Sequence, residues 1–99
     1  MIDITKLKKD TTLILETANS IYEIIVEEPE SRQVIINSSM RFPEPTRVTL
    51  GNLEYQQPIS IQYENNGIRH KVMTSPIVSG TLSSADNSWH YDIWERKAI

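Results

Sequence analysis

The sequence predicts an all-β protein: a small antiparallel barrel or two-sheet sandwich of about seven to eight short strands with a short N-terminal helical turn. Apolar and β-branched residues alternate with polar ones throughout the chain, which is the pattern of half-buried strands. No stretch of about eleven residues or more repeats apolar side chains at the three and four spacing of a helix. Because 99 residues is the usual size of one domain, we expect a single all-β domain over residues 1–99.

The order of the elements follows from the alternating runs and the turn residues between them. Residues 3–8 are expected to form a short helical turn that leads into the first strand. The strands are expected at residues 11–17, 21–27, 33–38, 46–50, 59–64, 68–74, 77–82 and 89–94. The separators are rich in turn-forming residues and lie at residues 18–19, 28–31, 42–45, 51–52, 66–67, 75–76 and 83–88.

The separator Asn66-Gly67 predicts a hairpin together with its register. A type I′ turn needs positive φ at both central positions, which Asn and Gly adopt at the least cost. The expected pairs are Ile59 with Thr74, Ile61 with Val72, Tyr63 with His70, Gln62 with Lys71 and Glu64 with Arg69. One face of this hairpin is therefore mostly apolar, and the other carries charge pairs.

A second hairpin is expected at Ala18-Asn19. This turn places Leu15 opposite Tyr22, with Leu13 and Ile24 as the next pair on the same face. Moving the turn by one residue would place Glu16 opposite Glu23, and like charges directly across a ladder are destabilising. We therefore prefer the turn at Ala18-Asn19.

The face of this second hairpin that is opposite the predicted core face also carries apolar side chains. Ile14, Ile21 and Ile25 lie on it among polar residues, and Ile35 follows in the next strand. The C-terminal strand, barrel closure or a second copy of the protein are the candidates to cover it. Our leading hypothesis is a non-catalytic interaction or assembly module, in which these four isoleucines serve for assembly, as in a homodimer, and the Phe42 loop or the Trp94 region binds a protein partner.

The loop around Phe42 is a further candidate for contact with a partner. Pro43 and Pro45 hold Phe42 and Glu44 in extended geometry, and a loop that is already ordered loses less entropy on binding. The alternative is a stiff connector in which Phe42 plugs an open end of the barrel. Both interpretations stay open from the sequence.

The last predicted strand places a tryptophan on its polar face. Trp89, Tyr91 and Ile93 are expected to point inward, which leaves Trp94 on the same face as His90 and Asp92. An exposed Trp beside polar residues is typical of a contact anchor. Trp94 is therefore a third candidate for binding a partner.

Catalytic groups are scarce in this chain. His90 and Asp92 share one strand face and are weak candidates for a metal site or an acid-base pair, but a third ligand is not evident. His70 is the third candidate residue for such a site, although its place opposite Tyr63 favours a histidine at the rim of the core. The chain has no cysteine, no glycine-rich phosphate loop and no Gly-x-Ser-x-Gly motif. We therefore expect no cofactor, and a small metal-dependent or acid-base enzyme is only an alternative.

The charge balance bears on partners and location. A formal net charge of −3 and a pI near 5.3 give no general attraction to nucleic acids or anionic membranes. A small barrel that stacks single-stranded nucleic acid on aromatic residues remains an alternative, but the hairpin register places Tyr63 on the face opposite Arg69 and Lys71. No signal peptide or bilayer-spanning apolar run is visible, so we expect a cytoplasmic protein.

Overall fold

Residues 1–94, which the computed structural model describes, form a meander of seven antiparallel strands, and six of them close into a barrel. In chain order the elements are a 3-10 turn at Ile4–Lys6, β1 at Thr12–Thr17, β2 at Ile21–Glu28, a 3-10 turn at Pro29–Ser31, β3 at Gln33–Ser38, β4 at Thr46–Leu50, β5 at Pro58–Asn65, β6 at Ile68–Ser83 and β7 at His90–Trp94. Pairing of β1 with β6 closes the barrel. Within residues 1–94, no helix is long and apolar enough to cross a membrane. The all-β prediction is confirmed, in its barrel form.

The core of the barrel is filled by every second residue of the strands. In β1 and β3 buried positions alternate strictly with half-buried ones, as the two-residue period of a strand requires. The buried cluster consists of Ile4, Leu13, Leu15, Tyr22, Ile24, Val26, Val34, Ile36, Phe42, Val48, Leu50, Leu53, Ile59, Ile61, Ile77 and Leu82. Each such aliphatic side chain contributes about 1.5–3 kcal/mol by leaving water.

The predicted hairpin at Asn66-Gly67 is confirmed. Asn66 has φ 54° and Gly67 has φ 77°, as a type I′ turn demands. The observed pairs include Ile61 with Val72, Gln62 with Lys71, Tyr63 with His70 and Glu64 with Arg69. Farther from the turn the ladder shifts between Pro58 and Ser60, so the predicted pair of Ile59 with Thr74 is replaced by a hydrogen bond of 2.9 Å from the Ile59 N–H to Thr74 Oγ1.

The predicted turn at Ser75-Pro76 is wrong. A single strand, β6, runs through it from Ile68 to Ser83, and Pro76 lies opposite Pro58 at the ladder irregularity. A bulge is one of the few places where a sheet tolerates a proline, which has no N–H to donate. The two expected strands are therefore one, and its halves pair with β5 and with β1.

The hairpin between β1 and β2 has the preferred register. Leu15 lies opposite Tyr22, and Glu16 lies opposite Ile21, which keeps it away from Glu23. The turn is held by Thr17, whose N–H donates to the Ser20 carbonyl at 2.8 Å and whose hydroxyl accepts from the Ser20 N–H at 3.2 Å. This register fixes which isoleucines of β1 and β2 face outward.

Candidate functional site

The outward face of β1, β2 and β3 carries Ile14, Ile21, Ile25 and Ile35, and we call it the isoleucine face. Ile25 and Ile35 lie directly opposite each other across the β2–β3 ladder. Ile21 is 57% exposed and Ile25 is 36% exposed, while Ile14 and Ile35 are half-buried. The structure therefore brings the four predicted residues onto one side of three neighbouring strands.

The ionisable groups on the isoleucine face are all acidic. No residue of β1, β2 or β3 is Lys or Arg, whereas Glu16, Glu23 and Glu27 belong to these strands. Glu16 accepts a hydrogen bond of 3.0 Å from the Ser79 hydroxyl. Glu23 is exposed and lies across the ladders from Ile14 on β1. The face therefore combines apolar surface with negative charge.

One cation borders the isoleucine face, from β4. Arg47 Nε lies 2.7 Å from Glu27 Oε1, and Arg47 also donates to Glu27 Oε2 at 3.2 Å. This two-point contact raises the pKa of Arg47 above its ordinary value. Because Arg47 already neutralises Glu27, the exposed Glu23 is the carboxylate of this face that a partner can reach.

Phe42 lies inside the barrel end and is only 4% exposed. Its ring meets Tyr63 edge to face, with centroids 5.6 Å apart and planes at 81°. Its N–H donates to Ser38 Oγ at 3.0 Å, and its carbonyl accepts from the Ser38 N–H at 2.8 Å. This is the position expected of the stiff connector, and it leaves little of Phe42 for direct contact with a partner.

Two clefts flank the junction between β4 and β5, which we call the β4–β5 seam. An outer cleft of about 430 Å³ lies among outward-facing polar side chains, including Arg47, Gln62 and Arg69. An end cleft of about 640 Å³ lies beside the loop that leads into β4 and includes Pro43. Tyr63 lines both clefts, so the two meet at the seam. The sequence did not point to this feature, because no local pattern reports where a ladder stops.

Trp94 is half-buried rather than exposed. Its ring lies 6.2 Å from that of Tyr55 and covers Gly80, where a Cβ would come within 3.0 Å of Trp94 Cε3. The β6–β7 ladder shifts between Gly80 and Thr81, and such a shift breaks the strict alternation on which the expected exposure of Trp94 was based. Trp94 packs against the core cluster.

The histidines lie in separate surroundings. His70 is half-buried and stacks on Tyr63, with centroids 5.1 Å apart and planes at 18°. His90 Nε2 lies 3.9 Å from Asp92 Oδ1, and both side chains are more than half exposed. In the part of the chain that the structure describes, no three His, Asp or Glu side chains are grouped so that they could hold a metal. His90 and Asp92 thus form a solvated pair on β7.

Comparisons of the chain with protein-family models, with curated proteins and with solved structures find no match. The fold defines the protein as a small closed β-barrel with one additional strand.

Proposed function

We propose that the protein is a non-catalytic interaction module that binds a protein partner through the isoleucine face. The observation that carries this proposal is the adjacent pair Ile25 and Ile35 on the outside of a barrel whose inward rows already fill the core. Ile21 and Ile14 extend the apolar surface along the same strands. Contiguous apolar surface with polar groups at its edge is typical of a protein-binding site.

The charge of the face favours a basic partner over a second copy. Two copies packed face to face would bring the exposed Glu23 of each against the acidic face of the other, and like charges in a desolvated interface cost several kcal/mol. A partner with Lys or Arg side chains around an apolar centre would neutralise Glu23. The homodimer is therefore the less favoured form of this proposal.

The alternative of single-stranded nucleic-acid binding has less support. The ionisable groups of the isoleucine face are all carboxylates, and phosphate binding needs clustered cations. Tyr63 stacks on His70 on one side of the β5–β6 hairpin, while Arg69 lies on the other side, opposite Glu64. Tyr63 also lines the outer cleft with Arg47 and Arg69, but Arg47 is paired with Glu27 and Arg69 lies opposite Glu64. Carboxylates therefore balance the cations of this cleft, whereas base stacking in a basic groove needs a net positive charge.

The proposal is tested with a displayed library of random 16-residue peptides selected on the wild-type protein. We expect the enriched peptides to combine basic and apolar residues and to lose at least tenfold in affinity for Ile25→Asp. Each tenfold loss corresponds to about 1.4 kcal/mol. The matched control is Ile68→Asp, since Ile68 is 61% exposed at the tip of the β5–β6 hairpin, away from the isoleucine face.

Two results would overturn this proposal. Peptides that bind Ile25→Asp as tightly as the wild type would place the partner site elsewhere. Light scattering that shows a wild-type dimer, converted to monomer by Ile25→Asp, would establish self-association in place of a basic partner. We expect a monomer across the accessible concentration range.

A further inference from the structure

The ladder between β4 and β5 stops short of the ends of both strands. It pairs Thr49 with Gln62 and Leu50 with Ile61, although β4 begins at Thr46 and β5 continues to Asn65. Continuing the same register would pair Arg47 with Glu64. At the seam each strand therefore keeps a short edge that its neighbour does not use.

The direction of the backbone groups at this edge follows from two hydrogen bonds. The Leu50 N–H donates to the Arg32 carbonyl on the β3 side, and the Gly51 N–H donates to the Ser60 carbonyl on the β5 side. Because successive residues of a strand direct their N–H and C=O groups to opposite sides, those of Arg47 point toward β5. Counting from Ser60, those of Glu64 point toward β4.

The clefts on the two sides of the seam differ in chemistry. The outer cleft is lined by Glu64 and Arg69 and so offers both signs of charge. The end cleft combines the apolar and aromatic surface of Pro43, Tyr63 and the small accessible part of Phe42 with the charged groups of Arg41, Glu44 and Glu64. The side chains of an added strand would point alternately outward, into the outer cleft, and inward, toward Tyr63, which packs against the core.

We propose that the β4–β5 seam binds an extended peptide by strand addition, with polar side chains directed into the outer cleft and apolar side chains directed toward Tyr63, where the two clefts meet. The peptide backbone pairs with the free edges at Arg47 and Glu64, as in other complexes in which a peptide extends a sheet. The four isoleucines play no part in this contact. Arg47 borders both regions through its ion pair with Glu27, so the Glu64 variants are the ones that separate the two proposals.

The probes are two phage-displayed octapeptide libraries of equal composition. In one, apolar and polar residues alternate; in the other, the same residues follow the three and four spacing of a helix. We expect the alternating library to yield binders on the wild-type protein and the helical library to yield none at this site. Equal enrichment from both libraries, or from neither, would overturn strand addition.

Proline substitutions test whether the backbone edge makes the contact. The N–H groups of Arg47 and Glu64 point into the seam, so Arg47→Pro and Glu64→Pro remove a donor there without removing a ladder bond to β3 or β6. We expect each to lower the affinity for the selected octapeptides at least tenfold. Arg47→Ala and Glu64→Ala keep the N–H, and we expect them to stay within threefold of wild type.

A second measurement uses the unaltered protein, so that a proline variant that does not fold leaves the proposal testable. Bound octapeptide should slow hydrogen exchange at the Arg47 and Glu64 amides and leave the Leu50 amide unchanged. Unchanged exchange at both seam amides would contradict the proposal. So would alanine variants that lose as much affinity as the proline variants, because binding would then depend on the side chains. If the selected octapeptides lose their affinity for the Ile25→Asp variant and keep it for the proline variants, they bind at the isoleucine face and not at the seam.

Discussion

The isoleucine face and the β4–β5 seam lie on the same barrel, but one exposes apolar side chains and the other exposes backbone hydrogen-bonding groups. Along β1, β2 and β3 the ladders are long and shift only beyond Val26, so the backbone is paired and the excess is apolar side-chain surface. At the seam the ladder covers two pairs, the core side is closed by Phe42, and the excess is backbone hydrogen-bonding capacity. A closed barrel thus removes long open edges without making its surface uniform.

The largest expected effect tests how the barrel is closed at the seam. Phe42→Ala should lower the free energy of unfolding by about 3–5 kcal/mol, because it leaves a cavity beside Tyr63 and opens the barrel end. Denaturant unfolding measures this loss. Phe42→Leu, which keeps most of the volume, is the control, and we expect about 1.5 kcal/mol or less. A loss below about 1 kcal/mol for Phe42→Ala would mean that the loop does not close the core.

The next effect separates the two faces of β2 with adjacent residues. Ile24 is fully buried and Ile25 lies on the isoleucine face, so Ile24→Ala should cost about 2–5 kcal/mol. Ile25→Ala should stay within about 1 kcal/mol, since part of its surface is already in water. Chemical denaturation of both variants under one condition checks the difference. Similar losses would mean that the isoleucine face is needed for folding, which would remove the main reason to assign it to binding.

The outward position of the isoleucines could be predicted from the sequence, whereas the environment of Trp94 could not. Alternation identified Ile14, Ile21, Ile25 and Ile35 as outward-facing, because the β1–β2 and β2–β3 ladders shift only beyond Val26 and so preserve the two-residue period through these residues. Trp94 was assigned to the wrong environment, because the ladder shift near Gly80 changes the phase of that period.

Long-range pairing lies outside what local patterns specify. Pro76 predicts a turn from the sequence. In the structure it lies within β6, at the ladder irregularity opposite Pro58. The end of the β4–β5 ladder depends on how Phe42 and Tyr63 fill the barrel end, which is a property of the assembled core. The seam can therefore be identified only from the three-dimensional structure, whereas the register of the Asn66-Gly67 hairpin could be predicted from the sequence.

The smallest expected effect lies in the loop between β6 and β7, which belongs to neither surface and serves as a reference. Hydrogen bonds from the hydroxyl and N–H of Ser88, and from the Ser84 hydroxyl, lower the pKa of Asp86 from 3.8 to about 2. A carboxylate whose pKa is depressed by folding stabilises the protein above its unfolded pKa, and this contribution is lost as the pH falls from about 3.8 through about 2.

Carboxyl chemical shifts should give a midpoint near 2 for Asp86. Ser88→Ala should move this midpoint upward, because the N–H of residue 88 and the Ser84 hydroxyl that remain stabilise the carboxylate less than all three donors do. Ser39→Ala, at an exposed position on another loop, should leave the midpoint unchanged. Because Asp86 contacts neither region, Ser88→Ala should also leave peptide binding at the isoleucine face and at the seam as in the wild type. A loss of binding in this variant would mean that the two surfaces are coupled through β6, the strand that pairs with both β1 and β5. The isoleucine face and the seam would then not be independent sites.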